Sequence, residues 1–193
     1  MAGMKENLEV ILKDYPTSPE AGDALYWMAY FAKTDRKYAD AAEYSARLVK
    51  EYPDHGYAPE SAYEVGENKV LGNKYFEAVE AFKEAYAKYP DTGYGALSLV
   101  RIGEVLVSQQ YSTEDWQKEL SEKNDPASRI ALLSIPLRAG DREKTDAALA
   151  KLDSFKMNEA QKGYALAMKA GAENLAGAYS QRRHRRQCRQ LSK

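Results

Sequence analysis

Apolar residues recur at helical spacing along most of the chain, and nowhere do they alternate with polar ones over the length of a strand. Ala62, Val65, Gly66 and Val70 fall on one stripe, which predicts a helix from Pro59 to about Leu71. Gly72-Asn73 predicts a turn, because both residues tolerate the left-handed conformation that ends a helix. Tyr75, Ala78, Val79, Phe82, Ala85, Tyr86 and Tyr89 then mark a second amphipathic helix. Pro90 closes it, since proline disfavours helical geometry at the residue before it.

This hairpin is a repeat. Lys13-Asp14-Tyr15-Pro16, Lys50-Glu51-Tyr52-Pro53 and Ala87-Lys88-Tyr89-Pro90 line up at a spacing of 37. In the same register Tyr26 falls on Tyr63, Met28 on Val65 and Ile102, Tyr38 on Tyr75, and Ala41 on Ala78. Asp54, Gly56 and Tyr57 recur as Asp91, Gly93 and Tyr94. A fixed period of this length is the mark of a solenoid of stacked supersecondary units. A small residue at Ala29, Gly66 and Gly103 is expected where the two helices of a pair cross.

At these residues the chain resembles the tetratricopeptide repeat family. The second unit carries the pattern most fully, with Gly66, Tyr75, Ala78, Phe82, Ala85 and Pro90. The first unit matches with Ala29, Tyr38, Ala41 and Pro53, but places Ser45 where a large aromatic is usual. Three extra residues per unit lengthen the loop after each Tyr-Pro, and that Asp-x-Gly-Tyr-Ala loop is similar to a subfamily of bacterial envelope proteins. The outer-membrane barrel-assembly lipoprotein and the periplasmic tol-pal-associated repeat protein are examples. The resemblance covers roughly residues 5–108. It implies an all-α, right-handed solenoid of helical hairpins, a non-catalytic role in binding a protein, and a setting in an envelope assembly complex. A chain complete without a signal peptide would instead be cytoplasmic.

Beyond the clear repeats the pattern degenerates. Ala96 to Ser108 reads as a first helix, and Thr113 to Lys123 as its partner, anchored by Trp116 and Leu120. Asn124 or Asp125 caps a helix with Pro126 in its first turn. Ile130, Leu132, Leu133 and Leu137 lie on that helix, and Pro136 is expected to kink or end it. Asp141 caps the next helix, with Ala148, Leu149 and Leu152, and Asn158 a final one running to about Tyr179 past Leu175. The expected organisation is repeats over 5–123, divergent helical repeats and a capping helix over 124–180, and a basic tail over 181–193. At the other end, Lys5 to Tyr15 reads as the second helix of a unit whose first helix is missing. Leu8, Ile11 and Leu12 would lack one flank, whereas solenoid ends normally carry polar caps. Either the chain is a fragment of a longer protein or another surface, such as a second copy, covers that face.

Composition fits this architecture. Leu, Ile, Val and Phe make up only 33 of 193 residues, and 29 Ala and 15 Tyr supply the missing apolar area. Alanine is the best helix former and lets helix axes approach closely, while tyrosine fills gaps with its hydroxyl near water. No run of 18 apolar residues occurs, so no membrane-spanning helix is expected. MAGMKENLEV lacks the basic and apolar regions of a signal peptide. One cysteine, Cys188, excludes an internal disulfide framework and a cysteine-rich metal site.

The net charge of −1 hides an uneven distribution. The tail from Ser180 to Lys193 holds five Arg and one Lys with no acid. It reads either as a cationic arm for nucleic acid, anionic membrane or an acidic partner, or as a solvated end. Nucleic acid is disfavoured because no aromatic follows Tyr179 to stack on bases.

No metal, nucleotide or catalytic motif is present, and no cofactor is expected. His55 and His184 read as solvated, without ligand partners at metal spacing. Carboxylates are plentiful, but none has a partner in the sequence that would tune it for acid–base work. The better candidate is the face formed by the first helix of each pair. Its side chains by helical phase are Tyr26, Trp27, Tyr30 and Lys33, then Glu60, Tyr63, Glu64 and Glu67, then Leu97, Val100, Arg101, Glu104 and Ser108. This predicts an aromatic and acidic trough for a partner peptide or helix offering apolar anchors and basic residues. Tyr26, Trp27 and Tyr63 could equally pack between helices, and both readings stay open at this point.

Overall fold

Every regular element among the residues described is an α-helix. The computed structural model describes residues 2–174 apart from Asn124, Asp153 and Ala160. The elements are α1 (Ala2–Asp14), α2 (Pro19–Thr34), α3 (Tyr38–Glu51), α4 (Ala58–Leu71), α5 (Tyr75–Lys88), α6 (Gly93–Ser108), α7 (Glu114–Lys123), α8 (Pro126–Ala139) and α9 (Arg142–Leu152). A further helix, α10, runs over 161–174. The fold is all-α, as expected of a chain of helical hairpins. The chain divides into two units at Val105–Leu106. In the first, α1 packs on α2, α2 on α3, α3 on α4 and α4 on α5; in the second, α7 packs on α8 and α8 on α9.

The hairpin turns repeat with the sequence. Arg36, Asn73 and Gln110, 37 residues apart, all take positive φ near 60°. Each turn closes with the same pair of bonds: Arg36 N donates to Lys33 O and Lys37 N to Ala32 O, matched by Asn73 to Val70 and Lys74 to Lys69. This satisfies carbonyls that a helix end would otherwise orphan. Of the expected Gly72-Asn73 pair, Asn73 alone takes the left-handed conformation, because Gly72 still belongs to the helix end at φ −83°.

The Tyr-Pro signature has a physical role that spacing alone does not disclose. Tyr89 Oη donates to the carbonyl of Pro53 at 3.1 Å, and Tyr52 Oη donates to the carbonyl of Pro16. Each tyrosine therefore ties its own loop to the loop one repeat earlier. Tyr89→Phe is expected to cost about 0.5–1 kcal/mol, the net worth of one hydrogen bond. Urea unfolding of the variant checks this, and an unmoved midpoint would show the tie to be idle.

The core of the first unit is built as the composition suggests. Leu25, Leu48 and Ala58 are fully buried, with Leu12, Tyr26, Tyr44, Tyr52 and Tyr89 packed around them. Gly66 of α4 lies directly against the ring of Phe82 of α5. At the chain's start, Leu8, Ile11 and Leu12 are half-buried, while Met4 and Val10 are exposed.

Two expectations change, and a third, that Pro136 kinks or ends its helix, loses its second alternative: α8 continues to Ala139, and Gly140 at φ 71° terminates it. The proline lies near the helix end, where losing one N–H costs little continuity. His55 is not solvated. Its ring covers Gly22, Nδ1 accepts from Tyr57 N at 3.2 Å, and Nε2 faces Asp23 at 3.5 Å. It therefore pins the inter-repeat loop onto α2. Val100 is core rather than surface, because its side chain falls on the buried stripe of α6 with Leu99 and Ile102.

The second unit follows the predicted caps. Asp125 accepts from Ser128 N at 2.9 Å, and Asp141 accepts from Lys144 N at 3.1 Å. Asn158 and Gln161 exchange side-chain-to-backbone bonds in a reciprocal capping box. Trp116 and Leu120 are buried, as their anchoring role requires. The expected helix end near Tyr179, Leu175, and the basic tail with His184 and Cys188 lie outside the described residues.

Candidate functional site

Helices α2 and α4, with the part of α6 up to Val105, present one side-chain face of the first unit. Polar ties cross it from helix to helix. Tyr26 Oη donates to Glu60 at 3.0 Å, and Lys33 Nζ donates to Glu64 at 2.7 Å. Arg101 Nε and Nη2 form a fork on Glu67 at 2.6 and 3.2 Å, while Nη1 reaches Glu104 at 2.6 Å. Four of the predicted site residues, Glu64, Glu67, Arg101 and Glu104, are therefore engaged in ion pairs on this face. Three of the four carboxylates on this face are thus in ion pairs, but two cations, Lys33 and Arg101, leave the face acidic on balance.

The aromatic residues divide into two groups. Tyr26 stacks on Tyr57 with centroids 4.1 Å apart. Burial and the bond to Glu60 push its phenol up to about 12. Tyr63 is half-buried between the rings of Phe82 and Tyr94, at 5.5 and 5.8 Å. Burial raises its phenol well above the ordinary tyrosine range, with the neighbouring Glu67 carboxylate adding to the effect. Tyr26 and Tyr63 thus bridge between helices. Trp27 and Tyr30 remain 42% and 53% exposed and stand edge to face at 5.7 Å. They form an exposed aromatic patch on α2.

A cavity of about 380 Å³ opens beside this patch. Tyr26, Ala29 and Tyr30 of α2 and Ser45 of α3 line one side, with Ser61 and Asn68 of α4 opposite. Ser45, Ser61 and Asn68 are each at most 2% exposed. Asn68 Nδ2 donates to Glu64 O at 2.8 Å, whereas Asn68 Oδ1 and Ser61 Oγ have no hydrogen-bond partner in the protein. Sequence reasoning noted Ser45 as a departure from the aromatic expected there, but it missed Ser61 and Asn68. Their polarity sits on the buried stripe of α4, where an apolar pattern was sought at Val65 and Val70, both half-buried.

Residues 23–55 match the tetratricopeptide repeat family. Over those 33 of 193 residues the chain is similar to a tetratricopeptide repeat. The matched repeat comprises most of α2, all of α3 and the loop as far as His55, and so includes Tyr26, Trp27, Tyr30 and Ser45. No curated protein and no solved structure matches the chain. Tetratricopeptide repeats generally mediate protein–protein interaction, and the class is typically non-enzymatic. Among the described residues, no group of three or more His, Cys, Asp or Glu is placed to hold a metal ion. No described helix is long and apolar enough to cross a membrane.

Proposed function

We propose that the chain is a protein-interaction scaffold whose partner docks on the face of α2, α4 and α6, with Trp27 and Tyr30 as its anchors. The observation that carries this reading is the exposure of that aromatic pair. Partly exposed aromatic side chains of this kind are the usual energetic centres of protein interfaces. The ion pairs around them add a polar frame of Lys33–Glu64 and Glu67–Arg101–Glu104 with one carboxylate in excess. Such a frame gives register to a docked peptide or helix more than raw affinity. A place in a bacterial envelope assembly rests on the loop resemblance alone. Self-association through the exposed Met4 and Val10 of α1 would be a separate contact from this face.

A photo-crosslinking amino acid at position 30, compared with one at Glu80 on the exposed side of α5, tests the reading. Crosslinks to a discrete partner are expected from position 30 and not from 80. Equal labelling at both positions, or none at 30, overturns it. Trp27→Ala is expected to weaken partner capture by about tenfold or more, as for an interface anchor, while far-ultraviolet circular dichroism stays native. Loss of the fold would place Trp27 in the core instead.

The second reading, a nucleic-acid or membrane adaptor acting through the basic tail, falls on residues outside those described. Deleting 180–193 separates the two, because heparin or anionic-liposome binding would be lost while groove crosslinking persisted.

A further inference from the structure

The two complete hairpins differ where their helices cross. In the second, Phe82 lies against Gly66, with its ring 5.5 Å from that of Tyr63. Thirty-seven residues earlier the same three positions hold Ser45, Ala29 and Tyr26. All three line the cavity beside Trp27 and Tyr30. The cavity therefore stands where the first hairpin lacks the phenyl ring that fills the second.

Its opposite wall is polar in a way the next repeat is not. Ser61 and Asn68 correspond to Ser98 and Val105. Ser98 Oγ donates to Tyr94 O at 2.7 Å, so that hydroxyl is satisfied within its own helix, and Val105 carries no polar atom on its side chain. In the cavity, by contrast, Asn68 Oδ1 and Ser61 Oγ are both buried without a protein partner. The bond from Asn68 Nδ2 to Glu64 O fixes the amide so that its oxygen is the group left over. Buried polar groups in native proteins are satisfied, by protein, water or ligand.

We propose that this cavity receives the side chain of a tyrosine from a partner peptide. The proposal rests on the reading of the α2–α4–α6 face as a docking surface. A phenol ring supplies the missing aromatic between Tyr26, Ala29 and Ser45. Its hydroxyl donates to Asn68 Oδ1; Ser61 Oγ lies seven residues back on the same helix, about 10 Å along its axis, beyond reach of the same hydroxyl. Other guests fit less well. A hydrocarbon ring would leave Asn68 Oδ1 stranded. An anion would meet Glu60, Glu64 and Asn68 Oδ1, with Lys33 already bonded to Glu64. A cation would meet Lys33 beside carboxylates already engaged, Glu64 by Lys33 and Glu60 by Tyr26. A volume of about 380 Å³ is at the scale of small ligand sites. Tyr30, half-exposed on the cavity wall and edge-on to Trp27, provides surface for the residues flanking the inserted side chain, which favours a peptide over a free phenol.

The test titrates the full chain with p-cresol, the tyrosine side chain, and with toluene, the phenylalanine side chain, following amide chemical shifts. Short alanine peptides with one central tyrosine or phenylalanine are then compared in the same way. Saturable p-cresol binding is expected, about tenfold tighter than toluene for the hydrogen bond gained, with the tyrosine peptide likewise ahead of the phenylalanine peptide. Asn68→Val, which copies the next repeat, should bring the p-cresol to toluene ratio close to one. Ser45→Phe should abolish both by filling the space, and Asn68→Val remains decisive if that variant fails to fold. The proposal is overturned by absence of saturable p-cresol binding, which would mean a cavity holding water alone. Equal binding of toluene, or a preference that survives Asn68→Val, also overturns it. Binding of p-cresol without the tyrosine peptide would make the site one for a free small molecule and overturn it too. Crosslinking at position 30 is read separately, so loss of that signal with p-cresol binding intact would count against the wider docking face and not against the cavity.

Discussion

Gly66→Leu is expected to lower the melting midpoint of the first unit by roughly 10 °C, or to abolish its cooperative transition altogether. A Cβ at position 66 would stand 2.4 Å from Cε1 and 2.5 Å from Cδ1 of Phe82. No real side chain tolerates that approach, so one of the two helices must move. Phe82 cannot swing aside, because it is fully buried and held next to the ring of Tyr63. Overpacking of this kind costs about 1–3 kcal/mol, and leucine adds three more carbons to a crossing that a single methyl already overfills. Gly66→Ala should therefore show the same effect at smaller size. The first hairpin is a built-in control: there Ala29 occupies the equivalent position, and the smaller Ser45 stands where Phe82 would be. Bulk has been exchanged across the crossing, small against small in one repeat and nothing against large in the next. Thermal melts followed by circular dichroism at 222 nm make the measurement. A midpoint unchanged by Gly66→Leu would refute the pairing of α4 with α5 in this register.

The same pair of residues shows how much of the fold was legible from the chain. A glycine at helical spacing from an apolar stripe, followed by a large aromatic at the repeat's own register, sufficed to place the α4–α5 crossing. The hairpin turns and the closing Tyr-Pro were legible for the same reason, since each is a local constraint repeated at one period. What stayed hidden depends on contacts between helices. That Glu60 is hydrogen-bonded and Glu64, Glu67 and Glu104 are held in ion pairs was not legible along their own helices. Their partners come from the neighbouring helix, 31 to 34 residues away, or from the adjacent turn, and helical phase does not rank these pairings against exposure to water. Val100 was misplaced because α6 is apolar on more than one side, so the edge between its core stripe and its outward stripe is poorly marked by composition. His55 was misread because its partners, Gly22, Asp23 and Tyr57, are brought together only when one repeat's loop folds onto the preceding helix. Ser61 and Asn68 were missed for a different reason. A buried polar residue without a partner runs against the pattern being sought, and such exceptions concentrate where a chain keeps room for something else.

Arg101→Met is expected to destabilise the first unit by about 2–3 kcal/mol at neutral pH, somewhat less than the about 3–5 kcal/mol typical when one partner of a fully buried pair is removed. The discount follows from partial exposure, since the side chains of Arg101, Glu67 and Glu104 are 22%, 21% and 15% exposed. Burial alone would make Arg101 easier to deprotonate, but its hydrogen bonds to Glu67 and Glu104 outweigh that and hold the guanidinium charged well above its ordinary range. Removing it leaves two carboxylates, one on α4 and one on α6, facing each other with no cation between them. Arg101→Lys should recover only part of the loss, because an ammonium cannot form the two-pronged contact with Glu67 while also reaching Glu104. Glu67→Gln added to Arg101→Met should recover more, by removing one of the two like charges. Urea unfolding of variant and parent at pH 7 makes the measurement. A gap that is absent at pH 7 would mean that α4 and α6 are held together by packing alone, with the triad contributing only the orientation of the face.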